Sequence, residues 1–349
     1  MNLPWSIVRK LALIAFAVMA GARTAHCAEE LQGAGSTFVA PVMTKWAEEY
    51  EQIKGVKITY QAVGSGAGIE KIRAREVDFG ATDKPLSTDE LKAAGLCQFP
   101  IVIGGVVPVV NLPGIGPRQI KFTGELLADI YLGKVTMWNA PEIARFNPHL
   151  ALPALPISVV HRSDGSGTTF NWVSFLSRTS AAWKASVGTG LSVAWPLGTG
   201  AEGNAGMAAS VEQMPGAIGY VEYNYALKNA LAFAQVQNAH GLFVTPSPES
   251  FQEAASTVDW KYFKDFSVTI GDAAGGPNAY PITATTFVLM PRAPRDVVRS
   301  SALLAFFKWA LEDGDNEVTA LQYVALPPTL TLRVEGYWAT NISVEQSSN

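Results

Sequence analysis

Apolar and polar positions along this chain follow two alternating periods. In "VKITYQAVG" (56–64) β-branched and aromatic residues alternate with polar ones, the two-residue period of a half-buried strand. "FPIVIGGVVPVVNLP" (99–113) is instead a long apolar run broken by glycines, as expected of strands covered on both faces. "PISVVHR" (156–162), "AIGYVEYN" (217–224) and "YPITATTFVLM" (280–290) predict further strands. Helical spacing links Val42, Met43, Trp46, Tyr50 and Ile53, then Phe170, Val173 and Leu176, and finally Leu303, Leu304, Phe307, Trp309 and Leu311. Interleaved strands and helices predict an α/β fold with open, mainly parallel sheets. No repeat of fixed period interrupts the pattern.

In such sheets ligands lie where strand ends feed helix starts. Three junctions combine a strand, a turn of glycines and hydroxyls, and a helix. "LQGAGSTFVAPVMTKW" passes through Gly33, Gly35, Ser36 and Thr37 into the Trp46 helix. "YQAVGSGAGIEKIRAR" passes through Gly64, Ser65, Gly66 and Gly68. "VVHRSDGSGTTFNWVSFL" passes through Gly165, Ser166, Gly167 and Thr168. Each sets N–H groups and hydroxyls at the positive end of a helix, where an anion is stabilised. A single such turn is equally an ordinary N-cap. Three in one acidic chain, one beside Arg162, favour a ligand.

The N-terminus has a different character. Arg9 and Lys10 precede an apolar stretch from Leu11 to Ala22, and small and polar residues follow. This is the order of a secretory signal peptide, expected over residues 1–27 with Ala25 at −3 of the cut. The stretch falls short of the roughly twenty residues a membrane span needs. Acylation of Cys27 is the competing reading, and His26 argues against it because a small residue belongs there. Loss of residues 1–27 removes three cations and no acids, so the formal charge moves from −4 to −7. A surface that acidic excludes nucleic acid as a partner. Only Cys97 remains, which rules out a disulfide framework, and export with a lone thiol points to a periplasm. With 48% hydrophobic and 16% charged residues the chain has the profile of a folded protein rather than a disordered one.

The chemistry narrows by elimination. Ser166 lies in "DGSGT", so the G-x-S-x-G spacing of a nucleophile elbow fails, and His149, His161 and His240 stand in no base motif. "GTGAEG" (198–203) matches G-x-G-x-x-G, but "VAWPL" before it is a poor buried strand, and an ordinary surface loop is expected. P-loop and zinc signatures are missing, so neither a metal nor a cofactor is expected. Binding remains. The Arg162 fork suits an oxyanion, and Asp164 either steadies that fork or caps a turn. Asp83, in "VDFGATDKPLS", either pairs with Lys84 or accepts a proton from the ligand. A carboxylate in an anion site is tolerable when the guest carries hydrogen, as monohydrogen phosphate does and sulfate does not.

At these residues the chain resembles the phosphate-binding proteins of bacterial ABC phosphate importers, the PstS family. The likeness runs through "GAGSTF", "YQAVGSGAG", "VDFGATDKPLS", "FPIVIGGVVPVVN", "LADIYLGKVTMWN", "HRSDGSGTTF", "WPLGTG" and "PGAIGYVEY", essentially the whole mature chain. The resemblance implies a two-lobed Venus-flytrap fold of type II, with lobe 1 formed by 28–103 and 278–349 and lobe 2 by 104–277. It implies phosphate held in the cleft by Thr37, Phe38, Ser65, Asp83, Arg162, Ser166, Gly167 and Thr168, with Asp164 supporting the arginine. It also implies a periplasmic monomer that serves inner-membrane permease subunits and transforms nothing. Thr82, where Ser is common, and Ser163, where Ala occurs, are its small departures. A secreted phosphatase, or a binder of another oxyanion, on the same scaffold is the alternative.

Overall fold

The computed structural model describes residues 30–273 and 275–343. The expected signal peptide and Cys27 lie outside the described residues. Twelve strands are found among the described residues: β1 (Leu31–Gly35), β2 (Ile58–Gln61), β3 (Phe79–Thr82), β4 (Leu96–Val110), β5 (Lys121–Phe122), β6 (Ser158–Arg162), β7 (Thr199–Ala201), β8 (Ala217–Glu222), β9 (Ala232–Phe233), β10 (Gln235–Gln237), β11 (Phe243–Val244) and β12 (Thr283–Pro291). The helices that position the site are α1 (Ala40–Lys54), α2 (Ser65–Arg73), α3 (Gly167–Thr179) and α4 (Gly203–Gln213).

One sheet runs through both lobes in the order β2-β1-β3-β12-β4-β8-β6-β7, with β9 beside β4. Its outer strands are parallel, as β-turn-helix units require, but the central pairs are not. β12 is antiparallel to β3 and β4, and β4 is antiparallel to β8. The mainly parallel sheet expected from sequence is therefore a mixed one. The reason is that β12 returns from the second lobe and must run against the strands it joins.

β4 explains the apolar run. All fifteen of its residues are buried. Its Leu96–Gly105 portion lies against β12, and Val106–Val110 lies against β8. The strand thus crosses from one lobe to the other, and an alternating pattern would have exposed polar side chains to a covered face. The register of β4 and β12 slips between Thr286 and Phe287. Pro100 has no N–H for the ladder, and a bulge beside it is the usual accommodation.

The helical stripe of α1 buries Val42, Met43, Trp46 and Tyr50 as its spacing predicts, while Ile53, in the last turn, faces solvent. In the second lobe Trp172 stacks on Tyr220 with ring centroids 5.0 Å apart, and Tyr131 and Trp195 pack around them. A further strap ties the chain together: Asp265, from the stretch after the second lobe's last strands, accepts from Arg292, Tyr337 and Thr88.

Close helix–sheet approach dictates one glycine. A Cβ on Gly68 of α2 would fall 2.4 Å from Gly35 Cα and 2.8 Å from the Ala34 carbonyl oxygen, backbone that cannot swing aside. Gly336, in the helix Pro328–Asn341, meets nothing within 4 Å. Gly68→Ala should lower stability by about 1–3 kcal/mol through overpacking. Gly336→Ala should raise it by up to about 1 kcal/mol through helix propensity. Urea midpoints at unchanged m-value test the pair, and equal shifts would contradict the packing argument.

Candidate anion-binding site

β1, β2 and β3 are mutually parallel, so their C-terminal turns open at one edge of the sheet. The first turn brings Ser36, Thr37 and Phe38 there, the second Ser65, and the third Asp83. Asp83 is 1% exposed. Ser36 Oγ donates to its Oδ2 at 2.6 Å, and Thr286 Oγ1 donates to its Oδ1 at 2.7 Å. The Asp83 N–H donates to Ser65 Oγ at 3.2 Å, and the Phe38 N–H donates to Ser36 Oγ at 3.0 Å. Lys84, the partner the alternative reading requires, bonds Glu90 instead.

The second lobe supplies the cation. Arg162 ends β6 and is 3% exposed. Its Nε donates to Asp164 Oδ1 at 2.6 Å and its Nη2 donates to Asp164 Oδ2. The Gly203 N–H, donating to Asp164 Oδ1 at 3.1 Å, holds the carboxylate in turn. The Arg162 N–H donates to Tyr220 Oη at 3.1 Å, which seats the strand end on the aromatic cluster. Ser166 caps α3 by accepting from the Thr169 N–H at 3.0 Å. Helix geometry leaves the N–H groups of Gly167 and Thr168 without intrahelical acceptors, at the positive end of a thirteen-residue helix. His161 bonds the Arg162 carbonyl oxygen through Nδ1 and stacks on Trp195, which gives the ring a structural occupation.

The two walls touch. The Gly66 N–H donates to the Gly165 carbonyl oxygen at 2.8 Å, and Asn171 Nδ2 donates to the Asp83 carbonyl oxygen at 2.9 Å. Tyr225 Oη donates to the Thr37 carbonyl oxygen at 2.9 Å. A Cβ on Gly167 would lie 2.5 Å from both Asp83 Oδ2 and Ser65 Oγ, so only glycine lets α3 come this close. All the residues singled out from sequence therefore converge: Thr37, Phe38, Ser65 and Asp83 on one side, Arg162, Asp164, Ser166, Gly167 and Thr168 on the other. Sequence reasoning named Ser36 in its turn but not as the partner of Asp83, and it missed Thr286, Asn171, Asn204 and Tyr225. Ser36 lies in the turn between β1 and α1. Thr286 is one hydroxyl in a strand of several, with nothing local to mark it.

The electrostatics suit an oxyanion that brings its own proton. Burial pushes Asp83 up to about 6, against the lowering pull of the Ser36, Thr286 and Ser65 bonds and of Arg162. Burial likewise pushes nearby Glu222 up to about 8. Arg162 Nη1 is buried and has no hydrogen-bond partner among the described residues. Hydroxyls, helix N–H groups and an uncommitted guanidinium nitrogen can hold an anion, and one carboxylate can accept a proton from it.

Two α/β lobes joined by long crossing strands, with donors facing one another at the junction, define a two-lobed binding protein with a type II-like fold. Its matching family model is the PBP superfamily domain, over residues 20–313. The chain is 51% identical over 311 residues to a phosphate-binding protein PstS of Xylella fastidiosa (strain Temecula1), covering 89% of this chain and 85% of that one. It is 45% identical to the phosphate-binding protein PstS of Haemophilus influenzae, covering 90% and 94% of the two chains. The chain belongs to the PstS family. Solved structures with the same fold include a DING protein, with TM-score 0.72, 19% identity and coverage of 91% and 96%. Another is a high-affinity periplasmic phosphate-binding protein bound with phosphate, with TM-score 0.70, 20% identity and coverage of 88% and 93%.

The raised Asp83 value has a consequence for folding. Folded protein favours the neutral acid, so this group's contribution to stability is full below its ordinary value of 3.8 and is lost as pH rises through about 6. Ligand-free Asp83→Asn should therefore melt above the unsubstituted protein at about pH 8, and the gap should close toward about pH 4. Calorimetric melts across that range test it, and a gap independent of pH would contradict the buried charge.

Proposed function

We propose that this chain binds inorganic phosphate, as the mono- or dihydrogen ion, in the periplasm and delivers it to an inner-membrane ABC importer. One observation carries the reading: a buried carboxylate, Asp83, shares a cleft with a buried guanidinium, Arg162, that keeps one nitrogen uncommitted. Sulfate, fully ionised, would press like charge on Asp83. Phosphate donates to it.

The ligand enters between the lobes, divided as 28–103 with 278–349 and as 104–277. It first meets Thr37, Phe38, Ser65 and Asp83. Closure brings up Arg162, Ser166, Gly167 and Thr168, while Asp164 holds the guanidinium in plane. The ligand favours closure only through contacts the closed form adds. The phosphate-binding PstS relatives support phosphate as the guest. Nothing is chemically transformed: the closed protein is what the permease subunits recognise. Residues 1–27 serve as the export signal. Among the described residues no helix is long and apolar enough to cross a membrane.

Isothermal titration calorimetry should show tight phosphate binding and no sulfate uptake. Arg162→Ala removes charge-assisted bonds of about 1.5–3 kcal/mol each and should weaken every oxyanion at least tenfold. Asp83→Asn should weaken phosphate and admit sulfate, collapsing the ratio by at least tenfold. Unchanged selectivity in Asp83→Asn would overturn the proton-reading role. Steady release of phosphate from a phosphomonoester would instead favour the phosphatase.

A further inference from the structure

Asn204, the second residue of α4, is completely buried where the two walls meet. It follows "GTGAEG", the stretch expected from sequence to be an ordinary surface loop. Its amide orientation is settled by its neighbours. The Glu222 N–H donates to Asn204 Oδ1 at 2.9 Å, so the NH2 end must face the other way. That end donates to Thr37 Oγ1 at 2.8 Å and to Thr168 Oγ1 at 3.2 Å. The Asn204 backbone N–H also donates to Thr37 Oγ1, at 3.2 Å.

A hydroxyl has one proton and two acceptor positions. On Thr37 both acceptor positions are filled from Asn204, so the hydroxyl can engage anything else only by donating. Thr168 has one acceptor position filled by the same amide. An oxyanion needs donors, and a threonine that is free to rotate offers a lone pair as readily as a proton. Thr37 belongs to the first lobe, and Thr168 and Asn204 to the second. We infer that Asn204 is a positioning residue that fixes the Thr37 hydroxyl as a donor to the bound oxyanion, only when the lobes meet, and that occupies one acceptor position of Thr168 so that its proton is biased toward the same anion. This rests on the phosphate reading above.

Such a residue acts after capture. The first lobe takes up the ligand without it, and the Thr37 donor is locked only at closure. Removing Asn204 should therefore speed release and leave the on-rate alone, a division that general loosening of the fold would not produce. Stopped-flow tryptophan fluorescence with inorganic phosphate measures both rates in the full mature chain. Asn204→Ala should raise the off-rate about tenfold or more while the on-rate changes less than about twofold. Asn204→Asp, which swaps the donating end for an acceptor and turns both hydroxyls toward itself, should raise it further. Thr37→Val with Asn204→Ala should cost less than the sum of the two single changes, because they remove parts of one interaction. Asn204→Ser is the substitute if the alanine variant does not fold, as judged by circular dichroism. An unchanged off-rate, or additive effects in the cycle, would overturn the role of Asn204. Failure of the unsubstituted protein to bind phosphate would overturn the functional reading instead.

Discussion

The rest of this structure depends on keeping two opposite charges buried in one cleft without letting them pair with each other. Arg162 is held by Asp164, and Asp83 is held by the hydroxyls of Ser36 and Thr286. A direct pair between Arg162 and Asp83 would satisfy both and leave nothing for a ligand. Each charge instead has a partner on its own wall, and dehydration of such groups is tolerable only with good hydrogen-bond geometry. That requirement places the acid at the end of β3, the cation at the end of β6, and Thr286 beside the β4–β12 register slip that lies next to the acid's strand.

Rigid elements make the arrangement possible. Asp83 directly follows β3, a strand paired on both sides, and Arg162 is seated on Tyr220, whose ring is packed among Trp172, Trp195 and Tyr131. Asp164 is supported at one oxygen by the Gly203 N–H, which fixes the arginine's fork at one remove. Between these walls Gly66 and Gly165 lie backbone to backbone, where a Cβ on either would come within 3.1–3.2 Å of the other's Cα, and Gly167 lets α3 close onto the side chains of Asp83 and Ser65. The cleft is thus built from groups that have little freedom to wander, which is what selective recognition of a small symmetric ion requires.

Much of this was legible in the chain because the site is made of local motifs. A strand, a glycine–hydroxyl turn and a helix start appear together in sequence, so Ser65 and the Ser166–Thr168 turn could be picked out with no knowledge of the fold. Arg162 and Asp164, two residues apart, are likewise a local pair. Asn204 and Thr286 were not legible, since their roles come from contacts across 167 and 203 residues of chain. The mixed sheet escaped for a related reason: strand direction in a two-lobed chain is set by where the path re-enters the first lobe, and apolar runs carry no arrow. The "GTGAEG" segment misled in a different way. Its polar, glycine-rich composition is that of a surface loop, yet its last glycine and the following asparagine are drawn inward by Asp164 and Thr37.

The same groups explain why closure should wait for a ligand. Interlobe bonds through Gly66, Asn171, Asn204 and Tyr225 favour the closed form whether or not the cleft is filled. Against them, bringing the walls together withdraws Arg162 Nη1 from water with no protein acceptor in reach. A buried charged donor left unmatched costs about as much as one or two good hydrogen bonds return. That penalty opposes closure of the empty cleft, and an oxyanion removes it by satisfying that nitrogen and the α3 N–H groups at once. A ligand shifts such an equilibrium only by its difference in affinity between the two forms. Nearly all of that difference arises on the second lobe. On the phosphate reading proposed above, the first lobe meets the ion first, so Asp83 disfavours unprotonated guests at encounter and the second lobe's contacts retain the rest.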